Sequence, residues 1–118
     1  LGRDRFVLIT DSMEATGCPD GQYAIAGQPV KVSGGRALTM DGALAGSTLN
    51  LWDGVRNLMR FAGIPLEDAI ACATLNTARM VGISSEVGSI APGKRADLLF
   101  TEDGVHLKTV ISAGIPVT

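Results

Sequence analysis

The sequence predicts a mixed α+β fold, with short β segments on either side of a central helical region. Three observations predict it. Residues 6–9 form a continuous apolar run, Gly-Gly and Asp-Gly pairs separate short β segments, and apolar residues recur at helical spacing in the middle of the chain. Of the 118 residues, 46% are apolar, so the chain can bury a core.

Composition and charge exclude several classes of protein. A formal charge of −2 gives no basic surface for nucleic acid or for an anionic membrane. No apolar run approaches the roughly 20 residues that span a bilayer. Cys18 and Cys72 are too far apart in the sequence to suggest a disulfide framework or a zinc pair. We therefore expect a cytoplasmic, thiol-reduced protein with neither nucleic acid nor a membrane as its partner.

The first segment, residues 1–21, is predicted to contain one strand and one loop. Residues 5–10 read as a strand that is buried on both faces of a parallel sheet. Residues 11–21 are small and polar, with two Gly and one Pro, which is typical of a loop. A parallel strand needs neighbours joined by long crossovers, and the sequence supplies none. We therefore expect the chain to be the end of a larger protein, with exposed edges that favour a homo-oligomer.

The second segment, residues 22–42, is predicted to be a meander of β-hairpins. Its strands are expected at residues 22–25, 29–32 and 36–39. Gly34-Gly35 and Asp41-Gly42 suit tight turns, because Gly accepts positive φ.

The third segment, residues 43–87, is predicted to be a small-residue loop followed by two helices. The loop covers residues 43–48 and the first helix residues 51–62, ended by Gly63. The second helix is expected to begin at Pro65 and to be capped by Gly82. Its predicted buried stripe comprises Leu66, Ala69, Ile70, Ala73, Ala78 and Val81.

The last segment, residues 88–118, is predicted to return to β structure. Strands are expected at residues 88–90, 97–101 and 105–112, with a turn at residues 91–94 and Gly114 closing the last strand. Lys94 and Arg95 are expected on a solvated turn, since the segment lacks the spacing of a phosphate-binding loop.

Asp11 is the sharpest candidate for chemistry. It directly follows the predicted strand, and reactive groups in β/α barrels project from the C-terminal ends of strands. A carboxylate there can take a proton from an attacking water and return it to a leaving amine. The same position equally suits an Asp that caps the following turn.

Other residues give weaker signals. His106 alone falls short of the three protein ligands of a hydrolytic zinc site, so we expect a surface or half-buried strand residue. Ser12 and Ser47 have no His nearby in sequence to activate them. The backbone of residues 42–47 can approach a ligand closely, although a plain connector is the commoner meaning.

Together, four motifs resemble N-acetylglucosamine-6-phosphate deacetylases of the amidohydrolase superfamily. They are Leu8-Ile9-Thr10-Asp11-Ser12-Met13, Asp41-Gly42-Ala43-Leu44-Ala45-Gly46-Ser47-Thr48-Leu49, Ala73-Thr74-Leu75-Asn76-Thr77-Ala78-Arg79 and Gly88-Ser89-Ile90-Ala91-Pro92-Gly93-Lys94-Arg95-Ala96-Asp97-Leu98. The last of these is shared across many amidohydrolases. The motif around Asp11 and the loop containing Leu44 point to the deacetylase branch.

The resemblance implies the last strand and terminal helices of a metal-dependent (β/α)8 barrel, with strands of a small β-sandwich. It implies Asp11 as catalytic residue and possible metal contact, and Leu44, Ala45 and Gly46 as substrate-binding residues. The substrate would be a sugar phosphate, N-acetylglucosamine 6-phosphate, hydrolysed to glucosamine 6-phosphate and acetate. The cofactor would be a divalent metal, zinc or iron, that lowers the pKa of a bound water.

The family's metal ligands, one Glu and two His, lie upstream of the matching region. We therefore expect no metal site in this chain alone, and no activity without the rest of the enzyme. Two alternatives remain open at this point. One is another amidohydrolase, dihydroorotase-like or an N-acyl amino acid deacylase, and the other is a non-catalytic β-rich binding module.

Overall fold

The computed structural model describes residues 2–117 and confirms the α+β class. Leu1, which begins the first predicted segment, and Thr118, which ends the last one, lie outside the described residues. The chain forms two compact units. One is Ile9–Gly54, and the other combines the residues up to Leu8 with those from Val55 onward.

The unit Ile9–Gly54 is built on a four-stranded antiparallel sheet in sequential order. Its strands are β1 (Gly21–Ile25), β2 (Gln28–Ser33), β3 (Arg36–Thr39) and β4 (Leu44–Ser47). The predicted meander over the first three strands is confirmed. The turn between β2 and β3 has positive φ at both Gly34 and Gly35, the geometry that matches the twist of paired strands.

The core of this unit lies on one face of the sheet. Alternate residues of β2 point inward, and they join one residue of β3 and one of the loop before β1. The buried cluster consists of Ala15, Val30, Val32 and Ala37.

The strand β4 corrects the prediction of a loop at residues 43–48. It pairs with β3 through Leu38 opposite Leu44 and Arg36 opposite Ser47, with an irregularity in register between them. Its small residues carry no apolar alternation, so their strand structure depends on the neighbour that supplies hydrogen bonds.

The other unit holds most of the helical structure. Helix α1 spans Leu51–Ala62, as predicted, and Gly63 follows it with its N–H bonded to the carbonyl of Met59 at 2.9 Å. The predicted second helix is interrupted. It consists of α2 (Leu66–Ala73) and α3 (Leu75–Met80).

The interruption lies at Thr74, whose φ of −127° and ψ of −87° are not helical. The Thr74 N–H bonds to Ala71, and the Thr77 hydroxyl donates to the carbonyl of Cys72 at 2.9 Å. Thr side chains compete in this way with the helical pattern of hydrogen bonds.

The buried face of these helices also differs in part from the predicted stripe. Ala69 and Ala78 are buried as predicted, whereas Ile70 and Val81 are exposed. Cys72 and Asn76 are buried, although neither was predicted to be. Asn76 is tolerated there because its amide is hydrogen-bonded.

The second sheet has three antiparallel strands, β5 (Leu98–Thr101), β6 (Leu107–Ser112) and β7 (Ile115–Pro116). The strands predicted at residues 97–101 and 105–112 are confirmed with shorter bounds, whereas β7 was not predicted. Residues 91–94 form the predicted turn. Residues 88–90 do not form the predicted short strand.

Residues 5–10 do not form the predicted buried strand. Residues 3–5 are a short 3-10 helix, residues 6–10 have no regular structure, and Phe6 and Ile9 are exposed. The Leu8 N–H bonds to the carbonyl of Cys72, so its partner is the end of a helix. The apolar run alone could not determine this outcome, since a strand exists only with a neighbouring strand to pair with. Within residues 2–117, no helix is long and apolar enough to cross a bilayer.

Candidate active site

Asp11 has an unusual backbone conformation for a residue other than Gly. Its φ is +52°, in the left-handed region, where Asp and Asn are the commonest exceptions. The N–H groups of the next two residues are taken by other acceptors, the Thr10 hydroxyl for Ser12 and the Ser47 carbonyl for Met13. These contacts do not use the carboxylate of Asp11 as a cap for the turn. The exposed Asp11 side chain faces a cleft.

The chain at Asp11 is held against β4 by a parallel bridge between Ser12 and Ser47. Ser47 donates its N–H to the carbonyl of Asp11, and Met13 donates to the carbonyl of Ser47, both at 2.9 Å. This pairing joins two segments about 35 residues apart in the sequence, and it places Gly46 beside Asp11.

Gly46 is the point of closest approach between the two segments. Its φ is +79°, and a Cβ atom there would lie 3.2 Å from the carbonyl oxygen of Asp11. The same Cβ would lie 3.6 Å from Cδ1 of Ile25 and 3.7 Å from Cβ of Met13. Only Gly meets both the conformation and the space at this position without strain.

These segments line an open cleft of about 430 Å³, a size in the range of small-molecule sites. The structure thus brings Asp11, Ala45 and Gly46 together in one cleft. Leu44 is 78% exposed and is not among the lining residues. The cleft is lined by Asp11, Ser12, Met13, Glu14, Ile25, Gln28, Val30, Thr39, Ala45 and Gly46.

Several of these lining residues were not predicted from the sequence. Glu14 lies in the loop after Asp11, Ile25 ends β1 and Gln28 begins β2, and all three line the cleft. The Glu14 side chain is fixed there by accepting the N–H of Ala24 at 2.8 Å. No local pattern signals this, because the contact depends on the meander as a whole.

The hydroxyl of Thr39 is already engaged within the unit. It donates to the carboxylate of Asp41 and accepts the N–H of Ala43 at 3.0 Å. The hydrogen bond from Thr39 is the main reason that the pKa of Asp41 lies below its ordinary value. Thr39 therefore forms part of the wall of the cleft, and its hydroxyl is already hydrogen-bonded to neighbouring residues.

The remaining sequence candidates belong to the other unit. His106 precedes β6 and is exposed, with its Nδ1 2.7 Å from Oδ2 of Asp103. The backbone N–H of His106 is the largest of the hydrogen-bonding contributions that hold the pKa of Asp103 well below its ordinary value. His106 was expected to be a surface or half-buried residue of a strand. It is a surface residue, but it lies in a turn and not in a strand.

The prediction of a solvated Lys94 is wrong, whereas Arg95 is exposed as expected. The Lys94 ammonium donates to the carbonyl of Ser84 and, at 2.8 Å, to the hydroxyl of Ser89. The ammonium thus links residues within the segment between α3 and β5. A sequence pattern of turn residues does not reveal these contacts.

Within residues 2–117, no three His, Cys, Asp or Glu side chains cluster in a way that could hold a metal ion. The two cysteines are free, and burial raises the pKa of the Cys72 thiol. The side chains of residues 2–117 therefore do not form a metal centre by themselves.

Comparison with known proteins gives a consistent result. The amidohydrolase family matches residues 32–117. An N-acetylgalactosamine-6-phosphate deacetylase of Escherichia coli O157:H7 is 43% identical over 108 residues, covering 92% of this chain and 29% of that relative. The crystal structure of N-acetylglucosamine-6-phosphate deacetylase from Thermotoga maritima is 33% identical, with a TM-score of 0.89 over 98% of this chain and 32% of that one.

A mutant of the Mycobacterium smegmatis N-acetyl-D-glucosamine-6-phosphate deacetylase, solved in complex with N-acetyl-D-glucosamine-6-phosphate, is 32% identical with a TM-score of 0.87. The match covers 98% of this chain and 31% of that one. This chain therefore spans about a third or less of the length of these three proteins. It spans 65% of a shorter relative from E. coli strain K12.

These matches confirm the resemblance drawn from the four motifs. The family match extends over more than half of the chain, and it includes β4, α1 and the second sheet. The chain belongs to the amidohydrolase family.

Proposed function

We propose that this chain is part of a deacetylase that hydrolyses the acetamide of N-acetylglucosamine 6-phosphate to acetate and glucosamine 6-phosphate. The single observation that carries the proposal is the cleft in which Asp11 lies beside Ala45 and Gly46. The names of the relatives supply the substrate. The chain's own geometry supports a carboxylate beside a small-residue strand, where a ligand can approach the backbone.

Asp11 has the properties that such a hydrolysis needs. In the reaction the C–N bond of the amide breaks, and the oxygen of water adds to the acyl carbon. A carboxylate takes a proton from that water and delivers it to the departing nitrogen. The products are a carboxylic acid and an amine, which at neutral pH become a carboxylate and an ammonium group by passing the remaining proton from the acid to the amine. Asp11 is exposed in the cleft and is held in a strained backbone conformation, a feature that clusters at functional sites.

We further propose that the rest of the enzyme completes the site. The chain would supply the last strand and terminal helices of a (β/α)8 barrel and strands of a small β-sandwich. A divalent metal, zinc or iron, would be held by ligands from the remainder of the enzyme, since three clustered ligands are absent from residues 2–117. A cytoplasmic homo-oligomer is the expected form of the whole enzyme.

A second candidate substrate is the galactosamine epimer. The E. coli O157:H7 relative that carries this name is 43% identical to the chain over 108 residues, and a Vibrio furnissii relative named for the glucosamine substrate is 43% identical over 95 residues. Sequence identity therefore supports both substrates equally. Both substrates carry the same acetamide, so the role proposed for Asp11 is unchanged.

The test is acetate release by the full-length enzyme from each of the two N-acetylhexosamine 6-phosphates. Asp11→Asn keeps the size of the side chain but removes the base, and we expect kcat to fall by about 10²- to 10⁴-fold. Asp4→Asn, an exposed carboxylate in the other unit, is the matched control and should retain activity. Hydrolysis of neither substrate, or equal kcat for Asp11→Asn and the unmodified enzyme, would refute the proposal. The 118-residue chain alone should give no turnover.

A further inference from the structure

We infer that Ile25, together with Met13, sets the size of the acyl group that the proposed deacetylase accepts. The inference rests on the proposed function and names a specificity determinant for it. Met13 and Ile25 are separated in sequence, and the fold places both in the cleft with Asp11.

The charges of the cleft indicate which end of the substrate it receives. Two carboxylates, Asp11 and Glu14, are among its lining residues, which include no Lys, Arg or His within the part of the chain that the structure describes. A phosphate group carries a charge of about −1.5 to −2 at pH 7, so two carboxylates repel it. The cleft therefore suits the uncharged acetamide end of a sugar phosphate.

The acetamide ends in a methyl group, and the cleft offers an apolar wall for it. Cδ1 of Ile25 and Cβ of Met13 converge within 3.7 Å of the point where a Cβ of Gly46 would lie, and that point is 3.2 Å from the carbonyl oxygen of Asp11. Apolar atoms thus lie next to the backbone of the proposed catalytic residue. An acyl carbon attacked beside Asp11 would place its methyl against this wall.

The wall is supported from behind, which fixes its shape. Met13, Ile25 and Ala45 pack against the buried cluster of Ala15, Val30, Val32 and Ala37. Close-packed side chains of this kind cannot move aside without cost. A longer acyl group would meet a rigid surface, and discrimination against one extra methylene in an apolar pocket is about 10- to 200-fold.

The test compares two substrates of the full-length enzyme, N-acetylglucosamine 6-phosphate and N-propionylglucosamine 6-phosphate. The measured quantity is the ratio of kcat/KM for the propionyl substrate to kcat/KM for the acetyl substrate. We expect Ile25→Ala to raise this ratio by about 10-fold or more, because truncation makes room for the extra methylene. A ratio of two substrates is not moved by a general loss of folded enzyme.

Two further variants make the result decisive. Ile25→Val removes only the Cδ1 methyl and should raise the ratio by a smaller factor, which decides the matter if Ile25→Ala fails to fold. Ile90→Ala is the matched control, since Ile90 is 89% exposed and does not line the cleft.

An unchanged ratio in the Ile25 variants, while the acetyl substrate is still hydrolysed, would overturn this inference and leave the proposed function standing. Failure of the unmodified enzyme to hydrolyse the acetyl substrate would instead refute the proposed function, and the inference with it.

Discussion

Gly46 is the residue at which a single added methyl group should disturb the candidate site most. Gly46→Ala introduces a Cβ at a φ of +79° and places it 3.2 Å from the carbonyl oxygen of Asp11. That oxygen accepts the N–H of Ser47 at 2.9 Å, so the oxygen cannot move away without straining this hydrogen bond. The substitution therefore combines backbone strain with crowding.

The expected loss of stability is the sum of the backbone strain and the crowding. A residue other than Gly in the left-handed region costs roughly 1–2 kcal/mol. Crowding a packed position by one methyl group costs typically about 1–3 kcal/mol. We expect Gly46→Ala to lower the free energy of unfolding by about 2–5 kcal/mol in total.

Gly42→Ala isolates the strain from the crowding. Gly42 lies in the same unit with a φ of +89°, but a Cβ there would have no neighbouring atom within 4 Å. Its substitution should cost only the strain of roughly 1–2 kcal/mol. Urea unfolding of the chain, followed through the fluorescence of its single Trp, measures both variants. Equal losses for Gly46→Ala and Gly42→Ala would refute the close approach of Gly46 to Asp11.

Three further predictions concern the other unit. Asn76→Ala should lower the free energy of unfolding by about 1–3 kcal/mol, because the buried Asn76 amide donates to two carbonyls, at 2.7 and 2.9 Å, that would lose their partner. Lys94→Met should cost a similar amount, about 1–3 kcal/mol, because the ammonium donates to the backbone carbonyls of the segment before β5. The third prediction concerns pH. Hydrogen bonds from His106 hold the pKa of Asp103 below its ordinary value of 3.8. The ionised Asp103 therefore contributes fully to the free energy of unfolding above pH 3.8, and this contribution is lost as the pH falls towards the lower pKa of the folded state. In urea unfolding, Asp103→Asn should then be less stable than the unmodified chain at pH 7, with the difference shrinking below pH 4.

The controls for Asn76→Ala and Lys94→Met are an Asn in the same unit and an exposed Lys in the other. Asn57→Ala and Lys31→Met remove similar side chains that are not buried, and they should change the unfolding midpoint little. Losses as large as those of Asn76→Ala or Lys94→Met would contradict the hydrogen-bonding argument. If the difference in the free energy of unfolding between the unmodified chain and Asp103→Asn stays constant between pH 7 and pH 2, the pH prediction for Asp103 is wrong.

The predictions that succeeded are those that depend on residues close together in sequence. The turn at Gly34-Gly35 and the strands on either side of it follow from turn chemistry, since the Gly pair accepts positive φ. Helix α1 follows from its helical period, and Gly63 ends it. In each case the residues that determine the structure are in contact along the chain.

The predictions that failed depend on partners far away in sequence. Strand β4 exists because β3 and the Asp11 segment pair with it, and its small residues give no sign of this. Residues 6–10 have the composition of a strand, yet they form none, and the N–H of Leu8 bonds to the carbonyl of Cys72 near the end of α2. Lys94 resembles a surface residue in sequence, and only the folded segment brings carbonyls to its ammonium.

The candidate site shows the same division. By itself the sequence determined the family motifs, the hairpins and the choice of Asp11, since these lie in short contiguous stretches. Only the tertiary structure decided that Asp11 shares a cleft with Ala45, Gly46 and Ile25, and that Leu44 is exposed and does not line it. The physical reason is that a cleft is formed by side chains from separate strands, and the pairing of those strands is a property of the whole unit.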